Sequence, residues 1–128
     1  MKHALLSIIA LFLFAFNSIA QVTSTASGGN WGDNSTWVGG IVPLITDDVI
    51  IADGALVIIN ITANAQSLQI GQGSSGILEF ESVNPQTLTV LSDITILAGA
   101  IFRSSLSGNQ SGHELFAGAN LVNNGTLD

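Results

Sequence analysis

The sequence contains no cysteine, only one lysine, Lys2, and only one arginine, Arg103. Without cysteine the chain cannot form disulfides, so its domain has to be held together by packing and by backbone hydrogen bonds. The two basic residues stand against nine Asp and Glu, which gives a formal net charge of −7 at pH 7. Such a surface repels phosphate backbones and anionic lipids, and we therefore expect no nucleic-acid partner.

Long hydrophobic runs are also scarce. The one long run, from Ala4 to Phe16, has 13 residues, which is fewer than the ~18 that a membrane-spanning helix needs. Lys2 precedes it, and Ser18-Ile19-Ala20 supplies small residues at the positions that a signal peptidase recognises. The sequence therefore predicts a signal peptide over 1–20, no transmembrane segment in the mature chain, and a secreted or cell-surface location.

The mature chain shows no helical spacing of apolar residues, and its apolar side chains recur two residues apart in short runs. Spacing of two places side chains on the same face of a β-strand. The clearest pairs are Leu68 with Ile70, Leu78 with Phe80, Leu88 with Val90, and Ile94 with Ile96. The sequence therefore predicts an all-β protein, and the 108 residues from 21 to 128 suffice for one small domain.

Four of the apolar runs contain a glycine, and these glycines recur at nearly even intervals. Gly54, Gly76, Gly99 and Gly125 are separated by 22, 23 and 26 residues. These intervals are typical of a stacked repeat, and about 23 residues hold three short strands with their turns. We therefore predict a right-handed parallel β-helix, or β-solenoid, with the hand taken from the usual parallel crossover. A β-sandwich is the alternative, since seven or so short strands fit it too.

The predicted solenoid occupies residues 47–128, and a polar segment over 21–46 is predicted to cap its first coil. The chain reaches Asp128 in mid-coil without a capping segment. Solenoids need terminal caps, because an uncovered coil leaves unpaired backbone groups. We therefore expect a C-terminally truncated piece of a longer surface protein. Its open last coil can pair with further coils or self-associate.

The capping segment and the first coil carry a more specific signal. Its parts are Trp31, Trp-x-Gly-Gly at 37–40, Pro43, Asp-Asp-Val-Ile-Ile at 47–51, Gly54 and Val57. This series resembles the opening of the eight-glycine extracellular domain found in secreted bacterial β-helix proteins that use the type IX export route. The resemblance covers about residues 29–102. It implies a surface protein whose solenoid contacts carbohydrate or other extracellular material, although type IX cargo usually ends in a sorting domain and this chain does not.

Trp31 and Trp37 are the candidate ligand-binding residues. Each indole offers a flat apolar face with one polar N–H, which suits stacking against a sugar ring. Large aromatic side chains are mostly used to bury area, however, so both can equally cover the apolar end of the first coil. The sequence favours the capping role and leaves the sugar platform open.

Two further motifs have plainer structural interpretations. The segment 71–76 matches Gly-x-Gly-x-x-Gly, but a dinucleotide site needs a helix next. Since 77–80 continues as a strand, we predict a turn. Glu79 and Glu81 lie two apart on one strand face and suggest a glycosidase carboxylate pair. A solvated face over a buried Phe80 is the simpler interpretation.

No metal or cofactor site is predicted. Asp47, Asp48 and Asp53 offer oxygen ligands, but their spacing fits neither an EF-hand loop nor the nonapeptide of calcium-binding β-rolls. We expect these residues to form turns and to keep the surface soluble. His113 is the only histidine of the mature chain and, without cysteine, makes no metal motif.

These features favour a non-enzymatic surface or secreted protein, a structural or adhesive scaffold that contacts extracellular carbohydrate or matrix. No catalytic residue can be assigned from the sequence, and the fold alone does not indicate a reaction. Two alternatives stay open. One is the N-terminal part of a carbohydrate-active enzyme whose active-site coils lie beyond residue 128, and the other is a carbohydrate-binding module that uses Trp31 and Trp37.

Overall fold

The computed structural model describes residues 19–108 and 112–128, so the predicted signal peptide lies almost wholly outside the described residues. The described residues form β-strands and one short 3-10 helix, Asn34–Thr36. The strands are β1 (Gln21–Thr23), β2 (Gly29–Asn30), β3 (Asp48–Ile51), β4 (Leu56–Ile59), β5 (Ala63–Ala65), β6 (Ser67–Ile70), β7 (Ile77–Phe80), β8 (Thr87–Val90), β9 (Ile94–Ile96), β10 (Ile101–Arg103), β11 (Glu114–Ala117), β12 (Leu121–Asn123) and β13 (Thr126–Leu127).

The strands assemble into three parallel sheets that the chain visits in turn. The first sheet has the order β1-β3-β6-β9-β12, the second β2-β4-β7-β10-β13, and the third β5-β8-β11. Each lap of the chain adds one strand to each sheet, so β3–β5, β6–β8 and β9–β11 are complete coils. All strand pairs between these elements are parallel. The predicted parallel β-solenoid is confirmed, with about four turns, and the β-sandwich alternative is wrong.

The core is the interior of the coil. Along most strands of the complete coils, buried residues alternate with partly exposed ones, as two-residue spacing requires. Paired strands keep the same face inward, so aliphatic side chains stack from coil to coil. The inward rows include Val49, Leu68 and Ile94 in the first sheet, Val57, Leu78 and Phe102 in the second, and Ala63, Leu88 and Leu115 in the third. Each fully buried aliphatic side chain stabilises the fold by roughly 1.5–3 kcal/mol.

The four spaced glycines lie along one edge, where the chain turns from the first sheet into the second. Leu56, Ile77, Ile101 and Thr126 begin four of the five strands of that sheet in one register. Gly76 and Gly125 directly precede two of these residues, and Gly54 and Gly99 lie two residues before the others. The glycines therefore form two adjacent rows, not one.

The coils differ in length more than the glycine intervals suggest. Ser67 bonds to Asp48, 19 residues earlier, whereas Asn120 bonds to Asp93, 27 residues earlier. The strands remain in register because the turns between them absorb the difference.

The N-terminal end of the solenoid is closed. Residues 36–38 lie antiparallel to β1: Thr25 N–H donates to Thr36 O at 2.8 Å, and Val38 N–H donates to Thr23 O at 2.9 Å. This segment covers the edge of β1 that faces away from β3. Trp31 fills the apolar interior at that end and is 0% exposed.

The last described coil presents its inward-facing side chains to solvent. Leu121 stacks on Ile94 but is 40% exposed, and Leu127 stacks on Phe102 but is 48% exposed. The two ends of the described solenoid therefore differ: one is covered by aromatic side chains and an antiparallel segment, and the other shows aliphatic side chains.

Candidate functional site

The outer face of the second sheet and the turns that follow it border a groove of about 270 Å³, which we call the side groove. Its lining combines amides, carboxylates, hydroxyls and aliphatic side chains, and it includes Asn30, Ile58, Asn60, Glu79, Glu81 and Ser107. These residues come from β2 and β4, from β7, and from the turns after β4, β7 and β10. The groove therefore crosses four successive coils.

Strand register determines which side chains meet in the side groove. Asn30 pairs with Ile58, and Ile58 with Glu79, each on the neighbouring strand. Residues paired in this way project from the same face of the sheet, with neighbouring strands about 4.8 Å apart. Since the inward positions of β4 and β7 are apolar and buried, the groove is lined by outward positions, where Asn30 and Glu79 are polar and Ile58 between them is apolar.

Glu79 is held by an ion pair from the next coil. Arg103 Nε donates to Glu79 Oε2 at 2.8 Å, and both side chains are mostly buried, with 16% and 13% of their surface exposed. Ion pairs between mostly buried partners are less screened by salt than surface pairs. Arg103 thus neutralises one of the two carboxylates in the groove and fixes its orientation.

Gln86 contacts two residues that line the side groove, Glu81 and Asn60. Its Nε2 donates to Glu81 Oε1 in a short hydrogen bond and to Asn60 O at 3.2 Å. Its backbone N–H donates to His113 Nδ1 at 3.1 Å. Gln86 therefore joins the turns of three coils, two through its side chain and the third through its backbone N–H.

Amides connect the groove to the capping segment. Asn60 Oδ1 accepts the backbone N–H of Gly32 at 3.0 Å, and Asn30 Nδ2 donates to Asp33 Oδ2 at 3.2 Å. Both amides retain further donor or acceptor capacity. The N-terminal end of the groove is therefore fixed to the closed end of the solenoid.

Glu79 and Glu81 lie in the same groove, on either side of the buried Phe80. Both carboxylates lie on the outer face and Phe80 points inward, as two-residue spacing predicts, but Glu79 is mostly buried beside Arg103, so the expected solvated face is only partly present. Glycoside cleavage requires one carboxyl group as acid and a second as base or nucleophile. Because Arg103 engages Glu79 and Gln86 engages Glu81, each carboxylate has a structural partner, and we assign neither a catalytic role.

The outer face of the first sheet forms a second polar surface, a depression of about 290 Å³. Asp48 Oδ1 accepts the hydroxyl of Ser67 at 2.5 Å across β3 and β6. Asp93 Oδ1 accepts the backbone N–H of Asn120 at 3.0 Å. Ile50 lies outward on β3 and lines the same depression, so this surface resembles the side groove in composition.

The three aspartates considered as calcium ligands each bond to a different part of the structure. Asp47 Oδ2 accepts the backbone N–H of Leu44 at 2.7 Å, Asp48 bonds to Ser67, and Asp53 bonds to the 72–75 turn. Within residues 19–108 and 112–128, no three His, Cys, Asp or Glu side chains are grouped so that they could hold a metal ion. The aspartates form turns and join coils.

Both tryptophans are buried. Their rings meet edge to face, with centroids 4.9 Å apart and an interplanar angle of 73°. Trp37 Nε1 donates to Trp31 O at 2.8 Å, and Trp37 is 2% exposed. Neither ring offers an open face on which a sugar could stack in this conformation. The geometry therefore agrees with the capping role and not with the sugar platform.

His113 has contacts that the sequence motifs did not indicate. Its ring stacks on Phe80, with centroids 4.6 Å apart and planes 14° from parallel. Nδ1 accepts a backbone N–H, while the buried Nε2 has no hydrogen-bond partner among the described residues. Because Phe80 lies one coil earlier, only the coil register brings the two rings together.

The carboxylate of Asp53 is the most heavily hydrogen-bonded acidic group described. Its oxygens accept the backbone N–H groups of Gln72 at 2.7 Å and Ser75 at 3.0 Å, and the hydroxyl of Ser74 at 2.8 Å. The Gln72 N–H, followed by the Ser74 hydroxyl and the Ser75 N–H, lowers the pKa of Asp53 to about 2 from 3.8. Hydrogen bonds to the ionised form are the cause.

This lowered pKa predicts a specific response to acid. The folded-state pKa of Asp53 lies below its ordinary value, so its stabilisation is complete above 3.8 and is lost as the pH falls through about 2. We therefore expect the difference in unfolding free energy between the native chain and Asp53→Asn to shrink over this interval. Urea unfolding at several pH values measures it. A difference that stays constant down to the lower pH would contradict the assignment.

Comparisons with protein-family models, with curated proteins and with solved structures each found no match. The resemblance to the eight-glycine extracellular domain rests on the motifs of the sequence and stays a prediction. In the part of the chain that the structure describes, no helix is long and apolar enough to cross a membrane.

Proposed function

We propose that this chain is a secreted or cell-surface scaffold protein whose solenoid binds a neutral extracellular polysaccharide along the side groove. The observation that carries the proposal is the groove itself, a row of amides, carboxylates and hydroxyls that crosses four coils. The signal-peptide pattern of residues 1–20 supports export. The motif resemblance described above also favours contact with extracellular carbohydrate.

The chemistry of the lining suits a chain of sugar units. Amides both donate and accept, carboxylates accept, and hydroxyls do either, so together they can satisfy the hydroxyl groups of a sugar. Ile58 supplies an apolar patch in the floor of the groove against which the C–H face of a sugar can pack. Successive coils place different polar groups about 4.8 Å apart along the groove, which favours an extended polymer over a single small molecule.

Charge favours a neutral polymer. Without Lys2, the mature chain has Arg103 as its only lysine or arginine against nine acidic residues, a net charge of −8. The guanidinium of Arg103 is already paired with Glu79. It is therefore not available to bind the sulfate or carboxylate group of an acidic sugar. Long-range repulsion further opposes an anionic ligand.

A matched pair of substitutions tests the proposal. Ile58 lies outward on β4 in the side groove, and Ile50 lies outward on β3 on the first sheet. We expect Ile58→Ala to weaken polysaccharide binding about fivefold, from loss of about 1 kcal/mol of apolar contact. Ile50→Ala is expected to bind as the native chain does.

Binding is measured first on an array of neutral and acidic glycans, and then by calorimetry with the polymer that binds best. Neutral glycans are expected to bind and acidic ones are not. The proposal fails if no neutral glycan binds, or if Ile50→Ala weakens binding as much as Ile58→Ala does. Thermal unfolding of both variants checks that they remain folded at the temperature of the measurement.

A further inference from the structure

The Gly-x-Gly-x-x-Gly turn at 71–76 has a geometry that the sequence alone did not explain. Gly71, Gly73 and Gly76 have φ values of 83°, 125° and 107°, a region that favours glycine. This backbone points several N–H groups toward one spot outside the coil. Successive N–H groups arranged in this way form an anion-binding concavity, or nest.

The nest is filled by a side chain from the preceding coil. Asp53 Oδ1 accepts the N–H groups of Gln72 and Ser75 at 2.7 and 3.0 Å, with that of Ser74 at 3.4 Å. Asp53 Oδ2 accepts the Ser74 hydroxyl at 2.8 Å. Four donors therefore converge on one carboxylate, as they would on a bound oxyanion.

Two reciprocal contacts position the carboxylate. The backbone N–H of Asp53 donates to Gln72 Oε1 at 3.3 Å, and the N–H of Gly54 donates to Ser75 Oγ at 2.7 Å. The two turns therefore exchange hydrogen bonds in both directions, and only the stacking of coils brings them together. Gln72 and Ser74 are exposed, so solvent reaches the nest.

We propose that the 71–76 turn is an oxyanion-binding site whose resident ligand is the Asp53 carboxylate, and that it binds a free phosphate or carboxylate ion when that side chain is removed. The donors are backbone N–H groups fixed by the flanking strands β6 and β7, so they persist without Asp53. The native carboxylate excludes external anions because it occupies the nest at a high effective concentration.

The test compares Asp53→Ala with the native chain and with Asp93→Ala. Asp93 also accepts hydrogen bonds from the following coil, from the backbone N–H and Nδ2 of Asn120, so its removal changes the net charge equally without opening a nest. Inorganic phosphate is titrated into each protein at constant ionic strength, and the backbone amide shifts are followed by NMR. Acetate, which carries the same carboxylate group, is titrated in a parallel series.

We expect saturable shifts of the Gln72, Ser74 and Ser75 amides in Asp53→Ala alone, with a dissociation constant on the order of 10 mM. The native chain and Asp93→Ala are expected to show no saturable shift at these amides. Absence of saturation in a folded Asp53→Ala, or equal saturation in the native chain, would overturn the proposal.

A second measurement covers the case in which Asp53→Ala does not fold in dilute buffer. Circular dichroism then follows recovery of the β-structure as phosphate is added, with Asp93→Ala correcting for general stabilisation by salt. Recovery of Asp53→Ala beyond the gain seen in Asp93→Ala supports the site. Equal gains in the two variants, or no recovery, refute it.

Discussion

Replacing Gly99 by alanine is expected to destabilise the folded chain by about 2 to 5 kcal/mol, whereas the same change at Gly54 is expected to cost about 1 to 2 kcal/mol. The two glycines occupy equivalent positions in the turn between the first and second sheets, with φ of +81° and +80°. Both substitutions therefore place an L side chain in the same left-handed conformation, and that shared strain is the smaller cost.

The difference between them is the neighbouring coil. A Cβ at Gly99 would lie 2.3 Å from the carbonyl oxygen of Ser74, which is backbone and cannot rotate away. At Gly54 the nearest atom would be Ala26 O at 3.8 Å, an ordinary contact. Gly99→Ala thus has to push two coils apart, and this overpacking adds roughly 1–3 kcal/mol to the conformational cost.

Urea unfolding of the two variants measures the difference directly. Equal destabilisation by Gly54→Ala and Gly99→Ala would show that glycine is needed only for its φ, and that the coils do not approach as closely as described. A larger cost at Gly54 would contradict the coil stacking itself.

The alternation of apolar residues was enough to predict the strands, and the glycine interval added to it predicted the parallel solenoid. Pairs such as Leu78 with Phe80 and Ile94 with Ile96 face inward because a strand has a period of two. The glycine interval located the edge between two sheets correctly. The glycine interval did not predict the length of each coil. The turns vary in length, and the strands stay paired despite this variation.

The side groove could be predicted only in part. Glu79 and Glu81 were identified as one face of a strand, which follows from local spacing. The partners of that face, Arg103 and Gln86, are determined by the register between coils. That register depends on the lengths of the turns between strands as well as on the alternating pattern of each strand, and the turn lengths vary from coil to coil.

The same limit explains the Gly-x-Gly-x-x-Gly motif. The absence of a following helix correctly predicted a turn at 71–76 instead of a nucleotide site. The sequence did not indicate that Asp53 would fill the turn, because that contact spans 19 to 22 residues. Asp53 was instead considered with Asp47 and Asp48, its neighbours in sequence, although the three have separate partners in the fold.

The second large effect is expected at the closed end of the solenoid. Trp31 is fully buried there, and its carbonyl oxygen accepts the indole N–H of Trp37. Trp31→Ala removes one of the two large buried side chains of the cap and leaves a cavity, so we expect a loss of about 3 to 5 kcal/mol in unfolding free energy. Val38→Ala is the control, since Val38 belongs to the same segment but is 66% exposed, and its cost is expected to stay within about 0.5 kcal/mol.

Polysaccharide binding by the same variant separates the two roles considered for the tryptophans. If Trp31 caps the core and the side groove binds the polymer, Trp31→Ala unfolds at lower urea concentration, yet its folded fraction binds with native affinity. This is the result that we expect, because Trp31 does not line the side groove. Native stability with lost binding would instead place the sugar on the indole. That outcome would contradict both the capping role and the groove, since a ring that is 0% exposed cannot stack on a ligand without leaving the core.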